Sequence, residues 1–407
     1  MDDLLTLKKN RLKPSAEILI PGSKSESNRL LIINRLYSNP IRIRNLSTAD
    51  DTRMVMDALN SDAEKIDIGH AGTAMRFLTA YFSICENRKV ILTGSDRMKQ
   101  RPIGILANAL KTLGADISYV EKVGFPPLKI NGKKINQTGI ELAAGVSSQF
   151  VSALMLIAPK LENGLTIRLK NDPTSKPYIC MTTGILKKLG IEIFDEGKSI
   201  EIKPRQKIDK CDWQIESDYS SASYYFSLVA LSENSEIKIG KFSKESFQGD
   251  SKVIEIYRKY FGVETRFEDD WLILKRNPDF EIKTFEINLN DTPDLAQTIA
   301  VAAAALKTRC RLTGLKTLKI KETDRLEALC SELKKIGVES KTDQDSIELY
   351  NFFETTEIPE IETFEDHRMA MSFAPLCLKR ELKIRKPKVV EKSYPDFWND
   401  FENCFLK

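Results

Sequence analysis

The chain alternates short polar clusters with runs of about ten residues rich in Ala, Leu, Ile, Met and Phe. Each cluster offers small or capping side chains, and the apolar run behind it predicts a buried helix. This pattern occurs six times, with clusters that begin near Ser25, Gly72, Ser148, Ser221, Asp294 and His367. After a first interval of 47 residues the spacings are 76, 73, 73 and 73 residues, which indicates one structural repeat with little insertion.

A second feature recurs at the same period, namely an amphipathic segment that ends at a glycine and is followed by an alternating segment. The four glycines are Gly114, Gly190, Gly262 and Gly337. Each is typical of a helix C-cap that leads into a strand. A polar turn and a second alternating segment follow, for example residues 199–203, which predicts a strand pair. One repeat is therefore a helix, a strand, a second helix and a strand pair.

Three predicted helix starts lie in each half of the chain. The simplest architecture is thus α/β, with two similar domains of three repeats each and with parallel and antiparallel strands mixed. A length of 407 residues suits two domains. We place the crossings between them near residues 21–22 and 218–221. One domain then spans residues 22–219, and the other combines residues 1–21 with 220–407.

Composition argues against several classes of function. With 62 basic and 58 acidic residues, bulk charge does not favour a nucleic-acid or membrane partner. Seven scattered cysteines, without a Cys-x-x-Cys pair, and only two histidines argue against a zinc site or a disulfide framework. The N-terminus does not resemble a signal peptide, and the longest nearly apolar run, residues 295–306, is too short to cross a bilayer. We expect a soluble, cytoplasmic protein.

The polar clusters suit anions. Free N–H groups and the positive helix dipole would point at whatever lies in front of Ser25, and Lys24 and Arg29 add two charges there. The same dipole would keep Asp294 ionised and available as a base. Any one cluster could be an ordinary helix cap with solvated charges. Their concentration at helix starts is better explained by a shared cleft between the two domains.

Two further clusters stand in the second half of the chain. Lys321 and Arg325 are spaced i, i+4, which predicts that they share one helix face, with Glu322 beside Arg325. His367 and Arg368 are predicted to start the sixth helix as an exposed pair.

Eight segments, in this order, resemble the EPSP synthase family of enolpyruvyl transferases over nearly the whole chain. They are residues 21–29, 71–76, 97–103, 147–149, 175–179, 321–326, 366–371 and 392–396. The resemblance implies two domains of three βαβαββ units each, an inside-out α/β barrel, with the active site in the cleft between them. It implies transfer of the enolpyruvyl group of phosphoenolpyruvate to the 5-hydroxyl of shikimate 3-phosphate. It also implies a monomer, and we expect no cofactor or metal; composition has already argued against a nucleic-acid or membrane partner.

The resemblance assigns binding residues motif by motif. For shikimate 3-phosphate they are Lys24, Ser25, Arg29, Ser147, Ser148, Gln149, Ser175, Tyr178, Asp294 and Lys321. For phosphoenolpyruvate they are Lys24, Gly72, Arg101, Gln149, Arg325, Arg368 and Lys392. Two substrates bring two phosphates and two carboxylates into one cleft, so a concentration of cations and helix N-termini fits this assignment.

The implied reaction needs a proton placed on the methylene carbon of phosphoenolpyruvate and a proton taken from the attacking hydroxyl. The catalytic candidates are Asp294, Glu322, Lys24, Lys392 and His367. We expect Asp294 to be the hydroxyl base. Glu322 is the carbon acid if burial raises its pKa against the pull of its cationic neighbours, and Lys392 is the alternative.

Three residues depart from the usual family pattern: His70 replaces an Asn of many members, Phe77 replaces a Pro, and Thr317 replaces an Asn that often binds the phosphorylated substrate. The related transferases that act on UDP-N-acetylglucosamine usually carry a reactive Cys that residues 94–101 lack. An anion-binding paralogue without turnover is the alternative from another class. A P-loop kinase is excluded because Gly-x-x-x-x-Gly-Lys-Ser/Thr does not occur.

Overall fold

The computed structural model describes residues 3–142, 147–170, 176–321 and 323–406. The chain divides into two compact units. The N-terminal unit is Ser23–Ile215, and the C-terminal unit combines Met1–Gly22 with Glu216–Lys407. The sequence placed the crossings near residues 21–22 and 218–221, and a hinge at these crossings stays a prediction.

The strands are short and spread along the whole chain. In order they are β1 (Leu4–Leu7), β2 (Ser15–Ile18), β3 (Ile41–Arg44), β4 (Lys65–Asp67), β5 (Lys89–Thr93), β6 (Asp116–Tyr119), β7 (Leu128–Asn131), β8 (Gly139–Leu142), β9 (Leu165–Leu169), β10 (Ile193–Asp195), β11 (Ser199–Ile202), β12 (Cys211–Gln214), β13 (Glu236–Gly240), β14 (Val263–Glu268), β15 (Trp271–Arg276), β16 (Phe285–Asn288), β17 (Cys310–Thr313), β18 (Val338–Thr342), β19 (Ile347–Phe352), β20 (Glu360–Ile361) and β21 (Leu382–Arg385).

The α-helices alternate with these strands. They are α1 (Lys24–Leu36), α2 (Asp50–Asn60), α3 (Gly72–Ile84), α4 (Asp96–Lys99), α5 (Gly104–Leu113), α6 (Ser148–Ile157), α7 (Pro177–Lys188), α8 (Tyr219–Leu231), α9 (Val253–Phe261), α10 (Ala296–Ala305), α11 (Arg325–Lys335), α12 (His367–Phe373) and α13 (Phe397–Glu402). Short 3-10 turns precede or follow several of them, including Pro293–Leu295 before α10.

Four sheets share one topology, two in each unit. In the orders given next, the first strand pairs in parallel with the second, and the second pairs antiparallel with the third. The third and fourth strands form an antiparallel hairpin. The orders are β4-β5-β7-β6, β8-β9-β11-β10, β2-β13-β15-β14 and β16-β17-β19-β18. Two smaller sheets complete the units, β12-β3 and β1-β21-β20. The predicted repeat of helix, strand, helix and strand pair is confirmed in the four large sheets.

The predicted helix starts are confirmed as well. Helices begin at Lys24, Gly72, Ser148, Tyr219 and His367, and the fifth begins as the 3-10 turn Pro293–Leu295. Ser23, Ser147, Asp218 and Asp366 accept hydrogen bonds from backbone N–H groups in the first turns, as N-caps do. All four predicted cap glycines have positive φ, which a residue without a Cβ adopts readily.

A trio of packed helices forms the interior of each unit. In the N-terminal unit α1, α3 and α6 pack on one another, and in the C-terminal unit α10 packs on both α8 and α12. The helices of the C-terminal trio are buried on nearly every face; in α8 every residue except Ser220 is buried. An all-round apolar sequence is what such a position requires. Within the described ranges no helix has the length and hydropathy of a membrane span.

Candidate active site

The helix trio of the N-terminal unit brings its polar N-terminal ends together. Gln149 at the start of α6 donates from Nε2 to Oγ1 of Thr73 at the start of α3, across 3.4 Å. One turn further along, Arg29 of α1 donates from Nη2 to Oγ of Ser152 in α6, across 3.1 Å. The first turns of α3 and α6 therefore lie together, with the second turn of α1 beside α6, and residues predicted to bind both substrates share one end of this unit.

Arg29 is a buried anchor at this end of the unit. Its Nε donates to Thr182 Oγ1 at 2.8 Å, Nη1 donates to the carbonyl of Ser25 at 2.8 Å, and Nη2 reaches the carbonyl of Tyr178 at 3.1 Å. Burial lowers the pKa of Arg29 to about 10, against a smaller raising effect of the Tyr178 hydroxyl. Arg29 thus joins the start of α1 to the start of α7, and its direct contact with a substrate stays a prediction.

Gly72 and Arg101, both predicted to bind phosphoenolpyruvate, are in contact. A Cβ atom added at Gly72 would lie 2.6 Å from Nη1 of Arg101, so the guanidinium occupies the space that a side chain would need. Arg76, one turn into α3, donates from Nη1 to the carbonyl of Gly72 at 2.9 Å and from Nη2 toward the carbonyl of Pro102 at 3.5 Å. It therefore fastens the segment that carries Arg101 to the start of α3.

The other predicted residues of this unit also lie at helix starts. Lys24, the first residue of α1, pairs with Asp51 of α2 at 3.3 Å. Ser147 caps α6, and Ser148 is buried in its first turn. Tyr178 is the second residue of α7. Ser175 lies outside the described residues.

In the C-terminal unit, Asp294 is surrounded by cations. Its Oδ1 lies 2.9 Å from Nη1 of Arg325 and 3.6 Å from Nζ of Lys321, and its Oδ2 lies 3.0 Å from Nη2 of Arg368. The carboxylate is 13% exposed. A carboxylate with three cationic neighbours is strongly favoured as the anion, the form in which it can accept a proton.

The expectation of an exposed His367–Arg368 pair is wrong, because both residues are buried. The cause is Asp366, which is fully buried, caps α12 and holds Nε of Arg325 at 2.5 Å. Asp366 and Asp294 together offset the free-energy cost of desolvating the guanidinium groups of Arg325 and Arg368. Nδ1 of His367 lies 3.8 Å from Oδ1 of Asp366.

The predicted helical spacing of Lys321 and Arg325 is also wrong. Helix α11 begins at Arg325 with Asp324 as its N-cap, so Lys321 precedes the helix and cannot share its face. The two side chains meet over Oδ1 of Asp294 instead. Glu322, the first candidate for the carbon acid, lies outside the described residues.

Lys392, the alternative carbon acid, lies in the 3-10 turn Pro387–Lys392. Its Nζ donates to the carbonyl of Glu365 at 2.6 Å. Phe364 and Glu365 both have positive φ, 51° and 56°, a backbone conformation that residues other than Gly rarely adopt. Lys392 therefore holds a tight turn just before the Asp366 cap.

Sequence reasoning missed Asp250. This buried carboxyl group accepts a hydrogen bond from Ser220 in the first turn of α8. Burial, with a further contribution from the charge of Asp294, raises the pKa of Asp250 to about 7. The only available signal was an acidic residue directly after Gly249 in a polar segment, which is common in surface turns.

The structure shows what surrounds the three residues that depart from the family pattern. His70 Nδ1 lies 2.9 Å from Oγ of Ser95, the cap of α4. The ring of Phe77 lies 5.3 Å from Cζ of Arg29. Thr317 lies in the 3-10 turn Lys316–Ile320, and its hydroxyl is buried.

Comparison with known proteins identifies the family of this chain. A family profile described as EPSP synthase (3-phosphoshikimate 1-carboxyvinyltransferase) matches residues 60–401. The 3-phosphoshikimate 1-carboxyvinyltransferase of Bacteroides fragilis strain YCH46 is 44% identical over 393 residues, covering 96% of this chain and 95% of that protein. The protein of that name from Vibrio atlanticus is 34% identical over 424 residues, covering 97% and 98%.

Solved structures show the fold. An EPSP synthase from Acinetobacter baumannii superposes with a TM-score of 0.80 at 21% identity, covering 99% of this chain and 98% of that one. The enolpyruvyl transferase NikO from Streptomyces tendae gives a TM-score of 0.75 at 13% identity, covering 98% and 97%. The fold is thus that of the enolpyruvyl transferases, as predicted. With its full-length relatives and its family profile, the chain belongs to the EPSP synthase (3-phosphoshikimate 1-carboxyvinyltransferase) family.

Proposed function

We propose that the chain transfers the enolpyruvyl group of phosphoenolpyruvate to the 5-hydroxyl of shikimate 3-phosphate and releases phosphate, as a step of aromatic amino acid biosynthesis. Family membership and one structural observation support this. The observation is the carboxylate of Asp294, held at a helix start by Lys321, Arg325 and Arg368. A carboxylate in this position would supply a proton acceptor among the cations that a phosphate and a carboxylate require.

The N-terminal unit suits shikimate 3-phosphate. Ser25, Ser147 and Ser148 stand at the starts of α1 and α6, where hydroxyls, backbone N–H groups and the helix dipole favour a phosphate. Lys24 adds a cation, and Arg29, Gln149 and Tyr178 are further proposed contacts in this unit. Asp294 and Lys321 are the proposed contacts from the C-terminal unit. Ser175 is included on the family motif alone. Arg29 supports this group through the carbonyls of Ser25 and Tyr178.

Phosphoenolpyruvate would meet two groups of cations, one from each unit. Arg101 stands beside the bare backbone of Gly72, while Arg325 and Arg368 share Asp294. Planar guanidinium groups bind carboxylate and phosphate through paired hydrogen bonds. Lys24, Gln149 and Lys392 are the further proposed contacts.

The proposed reaction is an addition followed by an elimination. A proton is added to the methylene carbon while the 5-hydroxyl attacks the neighbouring carbon and gives its proton to Asp294. The tetrahedral adduct then loses phosphate and a proton from its new methyl group, which restores the double bond. The cations around Asp294 stabilise the phosphate as it leaves. Glu322 and Lys392 remain the alternatives for the proton on carbon, and Lys24 and His367 are proposed to assist.

Phosphate release tests this proposal directly. Purified protein should release phosphate only when both substrates are present, and EDTA should leave the rate unchanged. UDP-N-acetylglucosamine in place of shikimate 3-phosphate should give none. A protein that binds both substrates but releases no phosphate is the anion-binding paralogue instead. We further propose a cytoplasmic monomer, which sedimentation at micromolar concentration tests for the oligomeric state.

A further inference from the structure

The guanidinium of Arg29 lies over two aromatic rings. Its Cζ is 5.3 Å from the ring centroid of Phe77 in α3 and 5.9 Å from that of Tyr178 in α7. Arg29 and Phe77 are only 2% and 1% exposed. The attraction between a cation and a ring face is strongest when both are shielded from water. We therefore expect the Arg29–Phe77 contact to have a free energy near the strong end of the cation–π range.

The hydrogen bonds of Arg29 do not by themselves offset the burial of its charge. The acceptors that it reaches within the described residues are neutral oxygens, on Ser25, Ser152, Tyr178 and Thr182. Burial of an ion costs free energy unless charge or oriented dipoles compensate for it. The charge of the Glu26 carboxylate supplies part of that compensation, and the negative π face of Phe77 supplies a further part.

We infer that Phe77 is a positioning residue for shikimate 3-phosphate: its ring orients Arg29, and Arg29 in turn fixes the backbone of Ser25 and Tyr178. This inference rests on the proposed function, in which Ser25 and Tyr178 contact that substrate. Phe77 also stands where many members of the family have Pro.

The effect should be specific to one substrate. Gly72 and Arg101 are held by Arg76, through bonds to the carbonyls of Gly72 and Pro102, and Phe77 takes no part in these bonds. Loss of the ring should therefore weaken shikimate 3-phosphate binding and leave the KM for phosphoenolpyruvate nearly unchanged. General damage to α3 would weaken both.

Calorimetry with shikimate 3-phosphate tests the inference. Phe77→Leu should raise the Kd by roughly 3- to 30-fold, the range that a cation–π contact covers. Phe77→Tyr, which keeps the ring, should stay within about threefold of wild type. Phe82→Leu is the matched control, because Phe82 is buried in the same helix and its ring contacts Tyr81 instead, at 5.2 Å. It should lower the Tm and leave the Kd unchanged.

A double-mutant cycle separates positioning from packing. In an Arg29→Lys background, Phe77→Leu should add less than about twofold to the Kd, since the planar cation is already gone. Phe77→Met fills similar space and serves if the Leu variant does not fold. A Kd for Phe77→Leu or Phe77→Met within twofold of wild type overturns the inference, as does an equal rise of both substrate constants. A wild-type chain that does not bind shikimate 3-phosphate overturns the proposed function instead.

Discussion

Nη1 of Arg325 lies 2.9 Å from Oδ1 of Asp294, while Nε of the same guanidinium holds Asp366. The proposed base is therefore part of a buried ionic network and not an isolated carboxylate at a helix start. Stability and chemistry depend on the same charges here. Substitutions must keep the shape of the network if they are to report on turnover.

Asp294→Asn should abolish most turnover and keep substrate binding. Asn preserves the size of the side chain and one acceptor for Arg325, but it cannot take the hydroxyl proton. We expect kcat to fall by roughly 10²- to 10⁴-fold, with the Kd for shikimate 3-phosphate within about fivefold of wild type, since Asp294 is only one of its proposed contacts. Asp291→Asn is the control, because Asp291 is an exposed partner of Lys252. A kcat near the wild-type value would rule out Asp294 as the base.

Arg325→Met should destabilise the C-terminal unit. The change leaves Asp366 buried without its closest cation, which costs about 3–5 kcal/mol. Arg266→Met breaks an exposed pair with Glu268 and should cost less than about 1 kcal/mol. Urea unfolding followed by Trp fluorescence measures both changes. Equal losses in the two variants would mean that burial does not set the strength of the network.

Gly72→Ala should weaken phosphoenolpyruvate binding without unfolding the protein. The added methyl group displaces Nη1 of Arg101, which would otherwise lie 2.6 Å away, and a long side chain can move at little cost. We expect the KM for phosphoenolpyruvate to rise by roughly 10- to 100-fold, the value of a lost charged hydrogen bond.

Two variants check this explanation. Gly139→Ala is the control, because the nearest atom to its new methyl group is 3.8 Å away. Gly72→Ala combined with Arg101→Lys should be no worse than the poorer single variant, since both act on one contact. Fully additive losses would show that Gly72 and Arg101 act separately.

Asp250→Asn should change how stability depends on pH. In the folded protein the pKa of Asp250 is raised to about 7 from 3.8, so the native state retains a proton that the unfolded chain has lost. Wild-type stability due to this group therefore falls as pH rises from about 4 to about 7, and is level above that. The Asn variant lacks this fall and should gain at least about 1.4 kcal/mol on wild type over that range.

Ser220→Ala provides the matched comparison. Ser220 donates to Asp250 and so favours the anion. Its removal should raise the pKa of Asp250 further and carry the fall in stability above pH 7. Thermal unfolding of the three proteins between pH 4 and pH 9 measures this. A constant difference between wild type and Asp250→Asn across the series would show that Asp250 does not titrate in this range.

Local patterns predicted most of the fold. A capping side chain such as Ser147 and a terminal glycine such as Gly114 act on their own helix, so sequence neighbours suffice to recognise them. The strand pairs followed for the same reason, from alternation and turns. The second helix start was predicted at Gly72 without any knowledge of Arg101, although their contact explains why a larger residue is disfavoured there.

The ionic network was not predictable in the same way. His367 and Arg368 look like an exposed pair in sequence, and only the packing of Asp294 and Asp366 around them reverses that expectation. Asp250 belongs to another repeat, and its carboxyl group lies close enough to Asp294 for the two charges to interact. Which charges meet depends on contacts between residues that are far apart in the chain, and periodicity carries no information about such contacts.

The strand pairing of the first residues has a consequence for synthesis. β2 is the leading strand beside β13, and β1 pairs with β21, which ends at Arg385. Both strands leave the ribosome more than 200 residues before the earlier of these partners exists. The N-terminal unit can fold in the meantime as a continuous segment, since domains generally fold as units during translation. Residues 4–18 therefore stay unpaired until the first of these partners is made, and a chaperone that shields them would act in that interval.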